Sequence, residues 1–411
     1  MSFSQALSGL NAQQQKLGAI GNNIANSQTV GFKSSNVQFA DVYAESRIGL
    51  GVRTSAVLQD FSQGNIETSS RNMDLAISGE GFFRFQQPNG EVGYSRNGQL
   101  TMTADGRLTN AQGAQIMGYP ADADGNIQAG GNVLGMQVPS GDLQANATTE
   151  LDISLNLDSG QPVIDLAATP FDANNANTYN YSTNATVFDS QGNARNLSLY
   201  FTKTADNQWA VNGRMSGGPA GGGTYDIGLG SLAFNQNGTL NATTNINNAA
   251  FNGPGSEFGA GNPFEALDIA ISFDGSTQFA NSSTVNDINQ NGYTSGSLVG
   301  VTIQDDGTIM RNYSNEQSRA AGQIALVSFR NPEGLKPEGD NLWTATASSG
   351  QELVGAAGTG LRGMIQAGAT ETSNVDMARE LVDMIVAQRA YQANSNTIST
   401  QDELLQTIMN L

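Results

Sequence analysis

Both ends of this chain carry apolar residues at strict seven-residue spacing, while the long stretch between them follows the two-residue period of strands. Phe3, Leu10, Leu17 and Ile24 mark the first register, with Leu7 and Ile20 beside it. Met377, Met384, Tyr391, Ile398 and Leu405 mark the second, widened by Leu381, Ile385, Leu404 and Ile408. Such spacing draws a narrow stripe along one side of a helix, so each end needs a partner along a seam. The first helix is expected to stop near Gly21–Asn26, because Gly and Asn accept the left-handed turn that closes helices. The second runs from Asn374 to Asn410 without Gly or Pro, and Asp376 suits the positive end of its dipole. Residues 1–40 hold Lys16 and Lys33 and no acid, whereas residues 371–411 hold six acids against Arg379 and Arg389. The stripes are either two solvated helical faces or two ends that pair as a terminal coiled coil. Matching heptads and opposed charge favour pairing.

The middle of the chain is written in hairpins. Residues 81–120 alternate apolar and polar side chains around Asn89–Gly90, Asn97–Gly98 and Asp105–Gly106, dipeptides whose residues accept the positive φ of tight hairpin turns. The same grammar recurs at Asn237–Gly238 and Asp306–Gly307, with strands expected at Gly322–Arg330 and Asn341–Ala345. Residues 148–292 differ in charge, with 13 acids against Arg195, Lys203 and Arg214. Hairpins are expected there at Gly192 and Asp206–Asn207, and 217–223 reads as a glycine-rich surface loop.

The expected fold is therefore multidomain: β-rich antiparallel middle and outer domains, with N- and C-terminal α-helices pairing as a coiled coil. Residues 1–70 and 366–411 form the terminal helical assembly domain with its linker. Residues 71–147 and 293–365 form the middle β domain, and 148–292 an outer β domain inserted into it. Strong apolar burial is expected only where the two ends meet, with the insertion as a solvated layer. Helices this polar are marginal alone and should order on assembly. Proteolysis of dilute monomer is then expected to leave a core near residues 70–365.

Composition removes much of chemistry. The chain has neither Cys nor His, which excludes disulfides, thiol nucleophiles, imidazole bases and nearly every transition-metal site. A formal charge of −19 opposes nucleic acid and anionic lipid. No stretch approaches the ~20 apolar residues of a membrane span, and the first residues lack the basic and apolar regions of a cleaved signal peptide. The catalytic look-alikes are weak. Residues 217–223 lack a Gly-Lys-Ser/Thr ending, Gly79-Glu80-Gly81 precedes two phenylalanines rather than a helix, and Asp122–Gly125 lacks most of a calcium loop. Asp305–Asp306 lies on a hairpin turn. No enzyme, cofactor or metal is expected. Unpartnered helices at both ends instead suit a subunit that polymerises with itself, and head-to-tail contacts that do not close give a helical filament.

Three segments carry a resemblance. Ala25-Asn26-Ser27-Gln28-Thr29-Val30-Gly31-Phe32-Lys33 resembles the Ala-Asn-x-x-Thr-x-Gly-Phe-Lys signature of bacterial flagellar rod and hook axial proteins. Residues 73–83 resemble a second motif of those proteins, and 373–391 their shared C-terminal helix. Asn315–Gln317, Pro332–Leu335 and Gly339–Trp343 are similar to the hook branch of the family, whose large insertion the shorter rod proteins lack. The resemblance implies a hook subunit forming a short curved tube, a universal joint between rod and filament. It further implies export by the flagellar type III apparatus without signal cleavage, and contacts with rod, hook–filament junction and hook cap proteins. Phe39-Ala40-Asp41-Val42-Tyr43 is similar to the family's export-gate segment, although Phe39 and Tyr43 equally suit two aromatics packing in a linker. Spirochaete hook proteins cross-link through a cysteine; this chain has none, so no such linkage is expected. A distal-rod-like axial protein is the nearest alternative. A surface adhesin or carbohydrate-binding module, with an aromatic groove on the insertion, is a more remote one.

Overall fold

A computed structural model describes residues 3–42, 49–122, 124–216, 224–241, 245–251, 258 and 264–409. The side chains at 216, 245, 404, 405, 408 and 409 lie outside that description. Tyr43 and the loop 217–223 fall outside it as well, as does the side chain of Leu405. The chain divides into two units, one comprising 1–140, 299–312 and 318–411, the other 141–298 and 313–317.

In the first unit the two end helices are α1 (Phe3–Ala25) and α2 (Met377–Met409). They pack against each other in antiparallel fashion: Asn23 reaches Glu380, and Gly9 lies against Asn394. The Asp376 carboxylate accepts the backbone N–H groups of Ala378 and Arg379 at 2.9 and 3.2 Å, capping the donors that α2 leaves unpaired at its start. An antiparallel ribbon of β1 (Ser35–Val42) and β2 (Gly51–Gln59) also packs on α1.

The seven-residue stripe is only partly buried within the chain. Among the described residues the buried helical positions are Ala6, Ala12, Ile20, Asn23 and Ala387, whereas Phe3, Met377 and Leu381 are exposed. Leu10, Leu17, Ile24, Met384, Tyr391 and Ile398 are half-buried. At Gly9 a small residue lets the two helices approach closely. A Cβ on Gly9 would sit 2.9 Å from the Asn394 amide.

The remainder of this unit is antiparallel β structure. One sheet runs through Ser318–Ser328, Gln115–Pro120, Phe82–Gln86, Val92–Ser95 and Leu342–Thr344. Leu75, Ile77, Phe83, Phe85, Ile116, Ile324 and Leu326 make its core. A second cluster gathers Phe82, Tyr94, Phe329 and Trp343 against Phe61 of the linker. Gly90, Gly106 and Gly307 turn at φ +88°, +78° and +85°, where the hairpin dipeptides place them. Asn97–Gly98 departs from that grammar. Gly98 pairs with Leu75 instead, and a Cβ there would collide with the Leu75 carbonyl, so this glycine serves close approach and not a turn.

The second unit corrects two expectations. Strand Glu150–Asp158 pairs in parallel with Asp268–Ser272 and Thr277–Phe279, so the β structure is not purely antiparallel. It also holds a large apolar core, including fully buried Leu151, Leu155, Phe201, Trp209 and Leu232. Apolar burial is therefore concentrated in both β units, and the end helices bury little. The reason lies in strand alternation: Leu197, Leu199 and Phe201 point to one face of Ala194–Ala205, enough to close a core despite the acidic surface. Gly192 and Asn207 turn the two hairpins at φ +81° and +59°.

Candidate functional site

The residues that join the two chain ends converge on one buried cluster of charge in the first unit. After α1 ends, Asn26 holds the turn, accepting the Thr29 hydroxyl at 3.1 Å and its backbone N–H at 3.0 Å. Gly31 follows at φ +72°, where a Cβ would lie 2.6 Å from the Asn97 nitrogen, so only glycine fits. Its N–H donates to the Glu371 carbonyl at 2.8 Å. That turn delivers Lys33 inward.

The Lys33 side chain is 0% exposed, and its ammonium donates to the Glu371 carboxylate and to the Ser62 carbonyl, both at 2.6 Å. Glu371, also 0% exposed, accepts the Gly64 N–H at 2.9 Å. Arg96 supplies a second cation, its Nε 3.1 Å from Glu371 Oε2 without the alignment of a hydrogen bond. The Arg96 guanidinium donates to the carbonyls of Gly81 and Gly79 at 2.7 and 2.8 Å, which ties in the second sequence motif. Burial pushes the Lys33 ammonium below its ordinary range, opposed by the neighbouring Glu371 charge. The Arg96 guanidinium shifts down for the same first reason.

A second belt lies beside the cluster. Asn374 accepts the Ser34 N–H at 2.8 Å and donates to the Asp60 carbonyl at 2.8 Å. Asn23, buried near the end of α1, donates to Ser35 and Glu380 at 3.0 and 2.9 Å and accepts the Ser35 N–H. Lys33, Glu371, Arg96, Asn374 and Asn23 each hold backbone groups. The arrangement can fasten segments together, with Lys33 and Glu371 both closed from water.

Of the residues singled out from sequence, Gly31 and Lys33 lie in this cluster, while Ala25, Asn26, Thr29 and Phe32 build the turn that leads to it. The helical stripe residues lie along α1 and α2 instead. Phe39 sits half-exposed on β1. Glu371 was missed as the partner of Lys33, and Arg96 as the second cation beside Glu371. The available signal was that Lys33 has no acid within residues 1–40 and would need an anion from elsewhere once buried.

A subunit whose ends are fastened to each other and whose helices keep apolar side chains in water belongs to the class of self-assembling axial proteins. Comparisons with known proteins specify it further. Residues 4–33 match the flagella basal body rod protein family, and 366–411 the C-terminal part of the flagellar basal body rod FlgEFG proteins. Residues 76–156 match the flagellar hook protein FlgE/F/G D1 domain, and 156–293 the flagellar basal body protein FlaE D2 domain. The chain is 47% identical to the flagellar hook protein FlgE of Escherichia coli K12, over 100% of both chains. It is 46% identical to that of Salmonella typhimurium over 100% of both, and 32% identical to that of Borreliella burgdorferi over 100% of this chain and 99% of the relative. The crystal structure of Helicobacter pylori flagellar hook protein FlgE2 shares the fold, with a TM-score of 0.56 and 14% identity over 74% of this chain and 100% of that one. The chain belongs to the bacterial flagellar hook protein family.

Proposed function

We propose that this chain is the structural subunit of the flagellar hook, polymerising into a short curved tube that serves as a universal joint between rod and filament. One observation carries the reading: α1 and α2 pair with each other yet leave Phe3, Leu7, Met377, Leu381, Val382, Ile385 and Val386 exposed. Copies of the same chain would cover those side chains, because burying apolar area is the main driving force for association. In this reading 1–70 and 366–411 form the polymerising layer, 71–147 and 293–365 the layer around it, and 148–292 the outermost one. The polymerisation residues are Phe3, Leu10, Leu17 and Ile24 with Met377, Leu381, Met384, Tyr391, Ile398 and Leu405. The family relation supports contacts with rod, hook–filament junction and cap proteins. It also supports an extracellular location reached through the type III export apparatus without signal cleavage, with Phe39 and Tyr43 in the export-gate segment. No helix among the described residues is long and apolar enough to cross a membrane.

The alternatives have no observation of their own. Trp209, one of the aromatic residues available for a carbohydrate groove, is fully buried and donates to Gln278 at 3.0 Å. Negative-stain microscopy of the purified protein at raised concentration tests the proposal. Short curved tubes are expected; discrete particles at every concentration would defeat it.

A further inference from the structure

We propose that the Lys33–Glu371–Arg96 cluster is a latch that makes the two chain ends dock together: the segment leaving α1 and the segment entering α2 settle onto the β structure jointly or not at all. The argument starts from what each group would face alone. Lys33 and Glu371 are 338 positions apart in sequence and are both fully closed from water. Without residues 371–374, Lys33 would be buried beside Arg96 with one carbonyl for company, and like charges in a desolvated site repel. Without residues 31–34, the Glu371 backbone loses the Gly31 N–H and its carboxylate loses an ammonium. The linker at 60–64 is shared by both ends, since Ser62 accepts Lys33 and Gly64 donates to Glu371. Asn374 repeats the connection without charge, bridging Ser34 to Asp60.

No one of the three segments completes its polar contacts unless the other two are in place. Coupling between docking events is reciprocal, so loosening either end must loosen the other by the same factor. The latch lies eight residues beyond α1 and six before α2. It therefore sets the roots of both helices at once, and a chain missing one end would present neither in place. This consequence rests on the reading of the helices as the assembly element; the latch itself does not.

Hydrogen exchange of the full chain as dilute monomer tests it, following the amides of Gly31, Ser34, Gly64 and Thr372 against Ile77 and Leu326 in the β core. Those four are expected to be protected in the unsubstituted chain, and their absence of protection would overturn the proposal. In Glu371→Gln a neutral amide faces two cations, and exchange should rise about tenfold or more at all four while Ile77 and Leu326 stay protected. Lys33→Met should release the same four from the other end. A rise confined to the segment bearing the substitution would sink the idea. Should Glu371→Gln open the β core too, Asn374→Ala, which leaves every charge paired, decides by the same criterion. Tube formation is scored separately. Joint release in a protein that forms no tubes would keep the latch and remove the hook reading; confined release in one that forms tubes would do the reverse.

Discussion

At Gly31 a single hydrogen atom in place of a methyl group decides whether Lys33 can be delivered to its partners. Gly31→Ala imposes a positive φ on a residue with a Cβ and drives that Cβ against the Asn97 nitrogen. A loss of about 1–3 kcal/mol, or more if the contact cannot relax, is expected in urea titration. Two carboxylates make a separate prediction about pH. Burial alone would push the Glu352 carboxyl up, but hydrogen bonds donated by Arg84 and Tyr94 outweigh it and hold the group below its ordinary value. Asp189 in the second unit is likewise opposed by burial but held down by the Asn193 backbone and side chain and by Arg195. A folded pKa below the unfolded one means the unfolded chain binds protons more readily. The stabilisation is complete above the ordinary carboxylate range and drains away as pH falls through the folded value. Melting temperature should therefore drop below about pH 4, and Glu352→Gln should lower it at neutral pH while flattening that decline. An equally steep decline in Glu352→Gln would mean that other carboxylates carry it. Residue-level detail was the least legible part of the sequence. Lys33 was visible as part of a signature, but nothing near it pointed to Glu371, because a buried ion pair is specified by topology and not by spacing.

Among elements, the helices and their pairing were legible, and the residues that form the seam were less so. The seven-residue period places α1 and α2 within a few residues of their observed limits; Asn26 follows the end of the first and donates to the Asn22 carbonyl, Asp376 caps the second, and Gly21 lies inside α1 without ending it. The same period did not separate the buried helical positions from the exposed ones. Ala6, Ala12 and Ala387 carry too little hydrophobicity to stand out in sequence, yet they are among the buried helical positions. The strands show a parallel lesson. Turn glycines declared themselves by their Asn or Asp neighbours, whereas Gly98 has the same neighbour and serves another purpose, as only its approach to Leu75 reveals. Burial separates two substitutions that sequence alone treated alike. Leu381 is exposed, so Leu381→Asp should leave the monomer's stability within about 0.5 kcal/mol and still block tubes, because assembly would bury a carboxylate. Ile398 lies one turn beyond Asn394, on the side that meets Gly9, and is half-buried. Ile398→Asp should therefore also reduce helical circular dichroism in the monomer. Tubes formed normally by Leu381→Asp would show that the exposed stripe is not an assembly surface. The latch bears on proteolysis as well: with 31–34 and 371–374 fastened to the β structure, trimming of monomer should stop nearer those residues than near 70 and 365.

For the molecule as a whole, the division of labour between the units decides what can be removed. The second unit has its own core around Trp209 and Phe201, and none of the latch or helical residues belongs to it. Its chain enters and leaves as a paired stem. Asn146 and Tyr293 exchange both backbone hydrogen bonds, at 3.0 and 2.9 Å, and Leu143 and Gly296 pair below them. Deleting 148–292 and inserting one glycine leaves a two-residue loop, Ala147-Gly, between partners that already sit across a ladder, which is the length an antiparallel hairpin favours. Such a truncated chain should keep its latch and helices, and so should still form tubes. A universal joint must shorten on its inner curve and lengthen on its outer curve with each turn. That requires outer contacts that break and remake at low cost, and polar, hydrated surfaces meet the requirement better than apolar ones. The unit's 13 acids against 3 bases within 148–292 would keep neighbouring copies from fusing. Its loss should change the curvature or stiffness of the tube more than its formation, and swimming more than assembly. Electron microscopy of the deletion variant decides the matter. If the truncated subunit is folded by circular dichroism yet never forms a tube, the second unit belongs to the assembly machinery and not to an outer layer.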